Sequence, residues 1–350
     1  MDGMKLAEQV VAACNSIWKP APGQRIPLHA PFITRDDFDN VALCMNEQPV
    51  GYGFIQELER LVRERIGVKH AIAVSSGTAA LHLALIAVGV RPGDEVAVPP
   101  LTFAAAAAAV TYCGALPYFG RAVDRSGPTA VIKVDLLGIP AEEDPNLYGA
   151  PVIEDAAEAL GSSRRGVPCG SMGDIGILSF NNNKIVTTGG GGMVLTNVDS
   201  YAETVRHLAT TAKKPLKHFF EHDAIGFNYR MTNLGAALGV GQMERLGAIL
   251  QFKSGIAAGY RAAFAGMDGV RVVGAPDDVR PNHWLNAIEV PPVYRDLIMN
   301  ALSANGFECR ALFTPLPIQK PYELFFADMQ MLEGAMSRFS RTILLPSGNS

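Results

Sequence analysis

The sequence predicts an α/β fold, a mostly parallel sheet flanked by helices, with a smaller α+β domain after it. Two observations carry this. Between residues 71 and 196, short apolar runs alternate with stretches of helical spacing, and strands apolar on both faces belong to parallel sheets covered by helices on each side. After about residue 250 the order changes to a helix, two short strands and another helix, which suits a smaller mixed lobe. The expected division is therefore an N-terminal arm with the large α/β domain over 1–250, and the smaller domain over 251–350. A length of 350 residues agrees with two units at about one per 150 residues.

Taken in order, Lys5 to Trp18 has helical apolar spacing, and the Pro- and Gly-rich KPAPGQRIP ends that helix and begins an extended arm. Phe54 to Ile66 reads as an amphipathic helix. AIAV (71–74) is then a strand, SGTAALHLALIAVG (76–89) a helix, EVAVP (95–99) a strand and FAAAAAAVTYCG (103–114) a helix. PVIED (151–155), DIGILSF (174–180) and GMVLT (192–196) are further strands, with a polar loop between the last two. Helices follow at 201–211 and 234–249. The final lobe has a helix, the VRVVG strand (270–274), NAIEV (286–290) and a helix from Tyr294 to Asn305. No internal repeat is present, and the alanine run at 104–109 fits inside one helix.

Composition excludes several classes. With 48% hydrophobic and 18% charged residues, the chain has enough apolar surface for a large core, which argues against wholesale disorder. Thirty basic against thirty-four acidic residues, a net charge of −4, supplies no field for nucleic acid or an anionic membrane. The five cysteines (Cys14, Cys44, Cys113, Cys169, Cys309) are scattered and odd in number, and form no CxxC pair or cluster with histidine. Reduced thiols in a cytoplasm, and no metal, are the expectation. The most apolar stretches fall short of the about 20 residues that span a bilayer, and MDGMKLAEQVVAAC lacks a continuous signal-peptide core.

Three constellations point to chemistry. In AIAVSSGTAALHL a buried strand turns through Ser75, Ser76, Gly77 and Thr78 into a helix. Free backbone N–H groups and the positive end of the helix dipole then meet at one spot, which suits a phosphate, although an ordinary Ser or Thr cap explains the same string. In PVIEDAAEALGS the strand delivers Glu154 and Asp155 to its carboxyl end, where open α/β sheets bind ligands. Adjacent strand residues point to opposite faces, so one acid faces the site and the other is structural. In DIGILSFNNNKIVTTGGGGMVLT, Lys184 lies in a polar loop after Asn181 to Asn183 and before Gly189 to Gly192. Most lysines are solvated surface charges, but this one stands beside a glycine run that permits close approach to a bound group. Together a phosphate cradle, a strand-end acid and a loop lysine meet the needs of pyridoxal phosphate.

These motifs, in this order, resemble the DegT/DnrJ/EryC1/StrS family of sugar aminotransferases, from roughly Pro27 to the C-terminal region. The likeness lies in SSGTAALHLAL, GDEVAVPPLTFAAAAAAV, VIEDAAEALGS, LSFNNNKIVTTGGGGMVLTN and IGFNYRMTNLGAALGVGQMERL. It implies a fold-type-I pyridoxal phosphate aminotransferase with a seven-stranded type of sheet, acting as a homodimer with shared active sites. It further implies that Lys184 bonds to the cofactor, Asp155 holds the ring nitrogen, Phe103 stacks on the ring, and Gly77, Thr78 and Ser179 hold the phosphate. Asn228 would complete that phosphate site from the other protomer.

By the same likeness, an amino group passes from glutamate to a nucleotide-linked keto sugar in surface-polysaccharide or glycoconjugate biosynthesis. The segment from TTAKKP to FNYRM resembles that of members acting on UDP-linked 4-keto-6-deoxy sugars. Read from the residues themselves, Lys213, Lys214 and Lys217 suit a nucleotide diphosphate, Arg310 a donor carboxylate, and Tyr52 the place of a hydroxyl residue near the substrate. Three features depart from the family. Glu158 stands near the phenolic oxygen where many members have Gln or His, the stretch from Tyr118 to Tyr148 is short, and QPVGYG (48–53) lacks the usual hydroxyl residue except for Tyr52.

Rival readings stay in view. A sugar dehydratase of this family generally replaces the lysine with histidine, and a non-catalytic cofactor-binding regulator should carry a DNA-reading helix or basic arm, neither of which is evident. His82 reads as a packed helix residue. His207, His218 and His222 bracket a charged loop, for which solvation is the plainer reading than metal ligation. The lysines of that loop and Arg310 are equally readable as surface charges.

Overall fold

The computed structural model describes residues 2–21, 23–47, 53–120, 127–142, 149–216 and 218–348. The chain runs through α1 (Gly3–Trp18), α2 (Arg35–Glu47), α3 (Gly53–Ile66), β1 (His70–Val74), α4 (Gly77–Ala87), β2 (Glu95–Ala97), α5 (Ala105–Tyr112), β3 (Leu116–Tyr118), β4 (Ala130–Val134) and β5 (Val152–Asp155). It continues through β6 (Ser163–Arg164), β7 (Val167–Pro168), β8 (Ile175–Ser179), β9 (Gly192–Thr196), α6 (Asp199–Ala209), α7 (Asn233–Glu244) and α8 (Leu246–Ala263). The last part holds β10 (Arg271–Val272), β11 (Val279–Arg280), β12 (Asn286–Glu289), α9 (Arg295–Ala304), β13 (Arg310–Ala311), α10 (Met329–Arg341) and β14 (Thr342–Leu345).

The large sheet has seven strands in the order β1-β9-β8-β5-β4-β2-β3. Strands β8, β5, β4, β2 and β3 pair in parallel, and β9 runs antiparallel to both β1 and β8. The expected mostly parallel sheet is therefore present, with one reversed strand formed by the hairpin from β8 to β9. One apolar layer on it includes Leu178, Met193, Leu195 and residues of α3 and α7. The other includes Ile153, Ile177, Val194 and residues of α4, α5 and α6. This two-sided burial is why the strands read as continuous apolar runs; each fully buried Leu, Ile or Val contributes about 1.5–3 kcal/mol over exposure.

Helix α4 is buried from Ala79 to Leu85 without a polar stripe. It begins where Ser76, extended at φ −166°, accepts the Ala79 N–H with its hydroxyl at 3.0 Å. The expected helix at 103–114 is shorter, which leaves Phe103 ahead of α5. The expected single helix at 234–249 is two, α7 and α8, broken at Arg245. That guanidinium is drawn to the buried Asp37 carboxylate at 2.6 Å.

The second lobe is built on the antiparallel sheet β10-β12-β14-β13. In its core, Leu6, Val10 and Cys14 of α1 pack with Ile256 and Tyr260 of α8, Ile298 and Leu302 of α9, and Ile343 of β14. The apolar stripe of α1 matches that surface, so the first helix belongs to the core of the second lobe. The Trp18 indole fixes the contact by donating to the Tyr260 hydroxyl at 2.7 Å. The shortened connection between Tyr118 and Tyr148 lies partly outside the described residues.

Candidate active site

A cavity of about 630 Å³ opens at the carboxyl ends of β4, β5 and β8, the position at which open α/β sheets bind ligands. Its floor is Val134, Asp155, Ile177 and Ser179. One side is the start of α4, and another is the β8–β9 loop with Asn181, Asn183, Lys184, Gly190 and Gly191. The roof comes from the second lobe and the N-terminal arm, including His29, Trp284, Glu308, Arg310 and Phe313.

The start of α4 has the shape of an anion cradle. Ser76, Gly77 and Thr78 face the cavity at the helix N-terminus, with Ser179 opposite. A Cβ on Gly77 would lie 3.0 Å from the Ser179 Cβ, and one on Gly192 would lie 2.4 Å from the Ser76 carbonyl oxygen. Glycine at these two positions lets the helix start, the end of β8 and the beginning of β9 close on one point.

The two acids of β5 separate as strand geometry demands. Asp155 faces the cavity, whereas Glu154 accepts N–H bonds from Gly170 at 2.8 Å and Met172 at 2.6 Å. Burial pushes the Asp155 carboxyl up to about 6, against the pull of the Ala157 N–H and with a further push from Glu158. A cation in contact relieves that burial cost, so Asp155 suits a protonated ring nitrogen.

Lys184 is held from three directions. Its N–H donates to the Asn181 carbonyl at 3.0 Å, its ammonium lies 3.5 Å from Glu158 Oε1, and the same ammonium sits 4.0 Å from the centre of the Trp284 ring. The second oxygen of Glu158 accepts the Leu137 N–H at 2.8 Å, which turns this carboxylate toward the lysine. Phe103, 59% exposed, stands on the cavity wall with its ring 5.8 Å from Phe313. The group fits pyridoxal phosphate: a helix-terminal cradle, an acid, an aromatic face and a lysine line one cavity.

Of the residues singled out in the sequence, the cavity joins Gly77, Thr78, Phe103, Asp155, Glu158, Ser179, Lys184 and Arg310. Arg310 pairs with Glu308 at 3.0 Å and is largely exposed. Lys213 and Asn228 do not line this chain's cavity. Lys213 is exposed with its ammonium 3.8 Å from the Phe220 ring, and Asn228 is exposed on a strand-like bridge to Thr210. Tyr52 lies outside the described residues. His82 is buried, with Nδ1 3.3 Å from the Tyr229 hydroxyl. His207 spends Nε2 on Asp223 and His222 its Nδ1 on the Thr211 carbonyl.

Trp284, His29, Glu308 and Phe313 line the cavity and were not singled out in the sequence. Trp284 comes from the entry to β12, a hundred residues from the lysine it covers, and only the scarcity of tryptophan, two in the chain, marked it. His29 lies on the arm, its two ring nitrogens enclosed with no partner among the described residues; burial, reinforced by Lys253 and Lys184, lowers it to about 2 and keeps it neutral. Away from the cavity, Asp135, Glu154 and Cys169 place possible metal-ligating atoms within 4.8 Å. Burial and the charge of Glu154 push the Asp135 carboxyl up, and Lys133 lies 3.9 Å away.

The sequence model of the DegT/DnrJ/EryC1/StrS aminotransferase family matches residues 32–138 and 121–350. A GDP-perosamine synthase of Caulobacter vibrioides is 38% identical over 87% of this chain and 88% of its own. A protein of Bacillus subtilis described as a putative pyridoxal phosphate-dependent aminotransferase, EpsN, is 37% identical over 85% and 83%. Among solved structures, the aminotransferase TlmJ of Streptoalloteichus hindustanus superimposes with a TM-score of 0.85 at 27% identity, covering 92% of this chain and 93% of that one.

Proposed function

The chain belongs to the DegT/DnrJ/EryC1/StrS aminotransferase family, and from that premise we propose that it moves an amino group from glutamate to a UDP-linked 4-keto-6-deoxyhexose. The product would serve surface-polysaccharide or glycoconjugate synthesis. The observation that carries the reading is the meeting of Lys184, Asp155 and the α4 N-terminus in one cavity. Pyridoxal phosphate is the cofactor; when bound it supplies the aldehyde that carries the amino group and a ring that withdraws electrons.

The chain's residues divide the remaining work. The α4 N-terminus with Ser179 grips the phosphate, Asp155 keeps a proton on the ring nitrogen, and Phe103 supports the ring face. Lys184 Nζ would be the base that takes and returns the proton of the donor's α-carbon. Glu158, 3.5 Å away, balances the charge on that nitrogen, and Arg310 at the cavity wall offers a partner to the donor carboxylate. A lysine at position 184 rather than histidine supports amino transfer over dehydration.

A second reading concerns the nucleotide alone. The likeness to a GDP-perosamine synthase favours guanosine over uridine. Keto-sugar nucleotides carrying UDP, GDP or dTDP, each offered with glutamate and pyridoxal phosphate, separate the two by kcat/KM. The UDP compound is expected to rank first; an inert UDP compound beside an active GDP one transfers the assignment and leaves the aminotransferase reading standing.

We also propose that the working unit is a homodimer with shared sites. Asn228 lies outside its own chain's cavity, on a segment that exposes Phe219, Phe220 and Ile225 at 71%, 80% and 91%. These exposed apolar side chains support the reading of this segment as a contact surface. Mixing Lys184→Ala with Asn228→Ala subunits should regenerate one intact site per heterodimer and restore activity that neither variant has alone. A fully active monomer in sedimentation would end the idea.

A further inference from the structure

We infer that Trp284 is a positioning residue for Lys184, its ring face holding positive charge on the lysine nitrogen inside the cavity. The inference rests on Lys184 as the residue that bonds to the cofactor. Trp284 is 3% exposed, and its ring centre lies 4.0 Å from Lys184 Nζ. At that range the electron-rich face attracts a cation, most strongly where water is excluded. Charge on this nitrogen matters in the lysine-bound cofactor, because the protonated linkage is the form that an incoming amine attacks.

Trp284 is anchored at three points. The Trp284 indole N–H donates to the Asn183 carbonyl at 2.6 Å, which ties the ring to the loop that carries the lysine. Its backbone N–H donates to Asn282 Oδ1 at 2.9 Å, and its carbonyl accepts from the buried Lys253 ammonium at 3.0 Å. Asn282 in turn donates to the carbonyls of Glu158 at 2.8 Å and Leu160 at 3.0 Å. One hook from the second lobe therefore fixes both the segment bearing Glu158 and the face over Lys184. His283, between Asn282 and Trp284, adopts φ +53°, a left-handed conformation uncommon for residues other than glycine.

Other charged or titratable groups on the same cavity are Glu158 and Asp155 from β5 and its following turn, His29 from the arm, Glu308 just before β13 and Arg310 on it. All remain when Trp284 is replaced, so a change on substitution reports the ring. The lysine-bound cofactor absorbs visible light, and its band changes when the nitrogen loses its proton.

The test is a pH titration of that band in the parent, Trp284→Met and Trp284→Phe proteins loaded with pyridoxal phosphate. Methionine fills space without an aromatic face, and phenylalanine keeps a smaller one. The midpoint is expected to fall by about half to one and a half pH units in the Met variant and by less in the Phe variant. The Phe protein carries the test alone if the Met protein does not fold. A midpoint unchanged in the folded variants, or an equal fall in both, overturns the inference. A parent without the visible band fails the Lys184 reading, and this inference with it.

Discussion

Lys184→Ala is expected to abolish turnover and the visible band of the lysine-bound cofactor while leaving the fold in place. The side chain touches Glu158 and Trp284 but forms no part of the apolar layers. The loop around it is held by main-chain bonds that the substitution leaves alone, Thr188 N–H to Phe180 carbonyl at 3.0 Å and Phe180 N–H to Gly191 carbonyl at 2.9 Å. Loss of the proton carrier alone costs about 10²–10⁴-fold in rate, and loss of the bonded cofactor adds to that. Steady-state assay of the purified variant, with circular dichroism as the check on folding, decides the matter. Transamination near the parent rate would remove Lys184 from the mechanism.

Asp155→Asn keeps shape and the Ala157 N–H acceptor but deletes the charge that favours a protonated ring nitrogen. A fall in kcat of about 10²–10³-fold with cofactor retained is expected, the range for removing one preorganised electrostatic partner. The pH dependence follows from the raised carboxyl. In the cofactor-free protein Asp155 is charged above about 6 and neutral below it, so the pull on a cationic ring is present at neutral pH and fades as pH falls through that value. Cofactor affinity measured against pH should show this step in the parent and lack it in the Asn variant. An Asn variant of near-parent rate would place Asp155 outside the chemistry.

Much of this was legible in the sequence because the residues concerned are local. The cradle is one strand-to-helix turn, the acid pair one strand end and the lysine one hairpin loop, so periodicity placed them on their elements, while the resemblance of the motifs supplied their roles. The reversed direction of β9 was not legible: GMVLT is as apolar as a parallel strand, and only pairing with β1 and β8 shows its sense. Helix α1 shows the same limit, since an apolar stripe states that a face is buried but not against which lobe. Trp284 and His29 join the cavity through contacts with residues far along the chain, which no local pattern encodes. The break at Arg245 was not legible either, and the guanidinium there pairs with Asp37 across more than two hundred positions.

The central claim is that this cavity carries out amino transfer with Lys184 as its carrier. The most direct measurement is the absorbance of the purified protein loaded with pyridoxal phosphate, recorded before glutamate, after glutamate and after a keto-sugar nucleotide. The visible band should disappear as glutamate converts the cofactor to its amine form, and return when the keto sugar accepts the amine. A band that binds in full yet stays unmoved by glutamate and every other amino donor would contradict the account and identify a protein that holds the cofactor without using it.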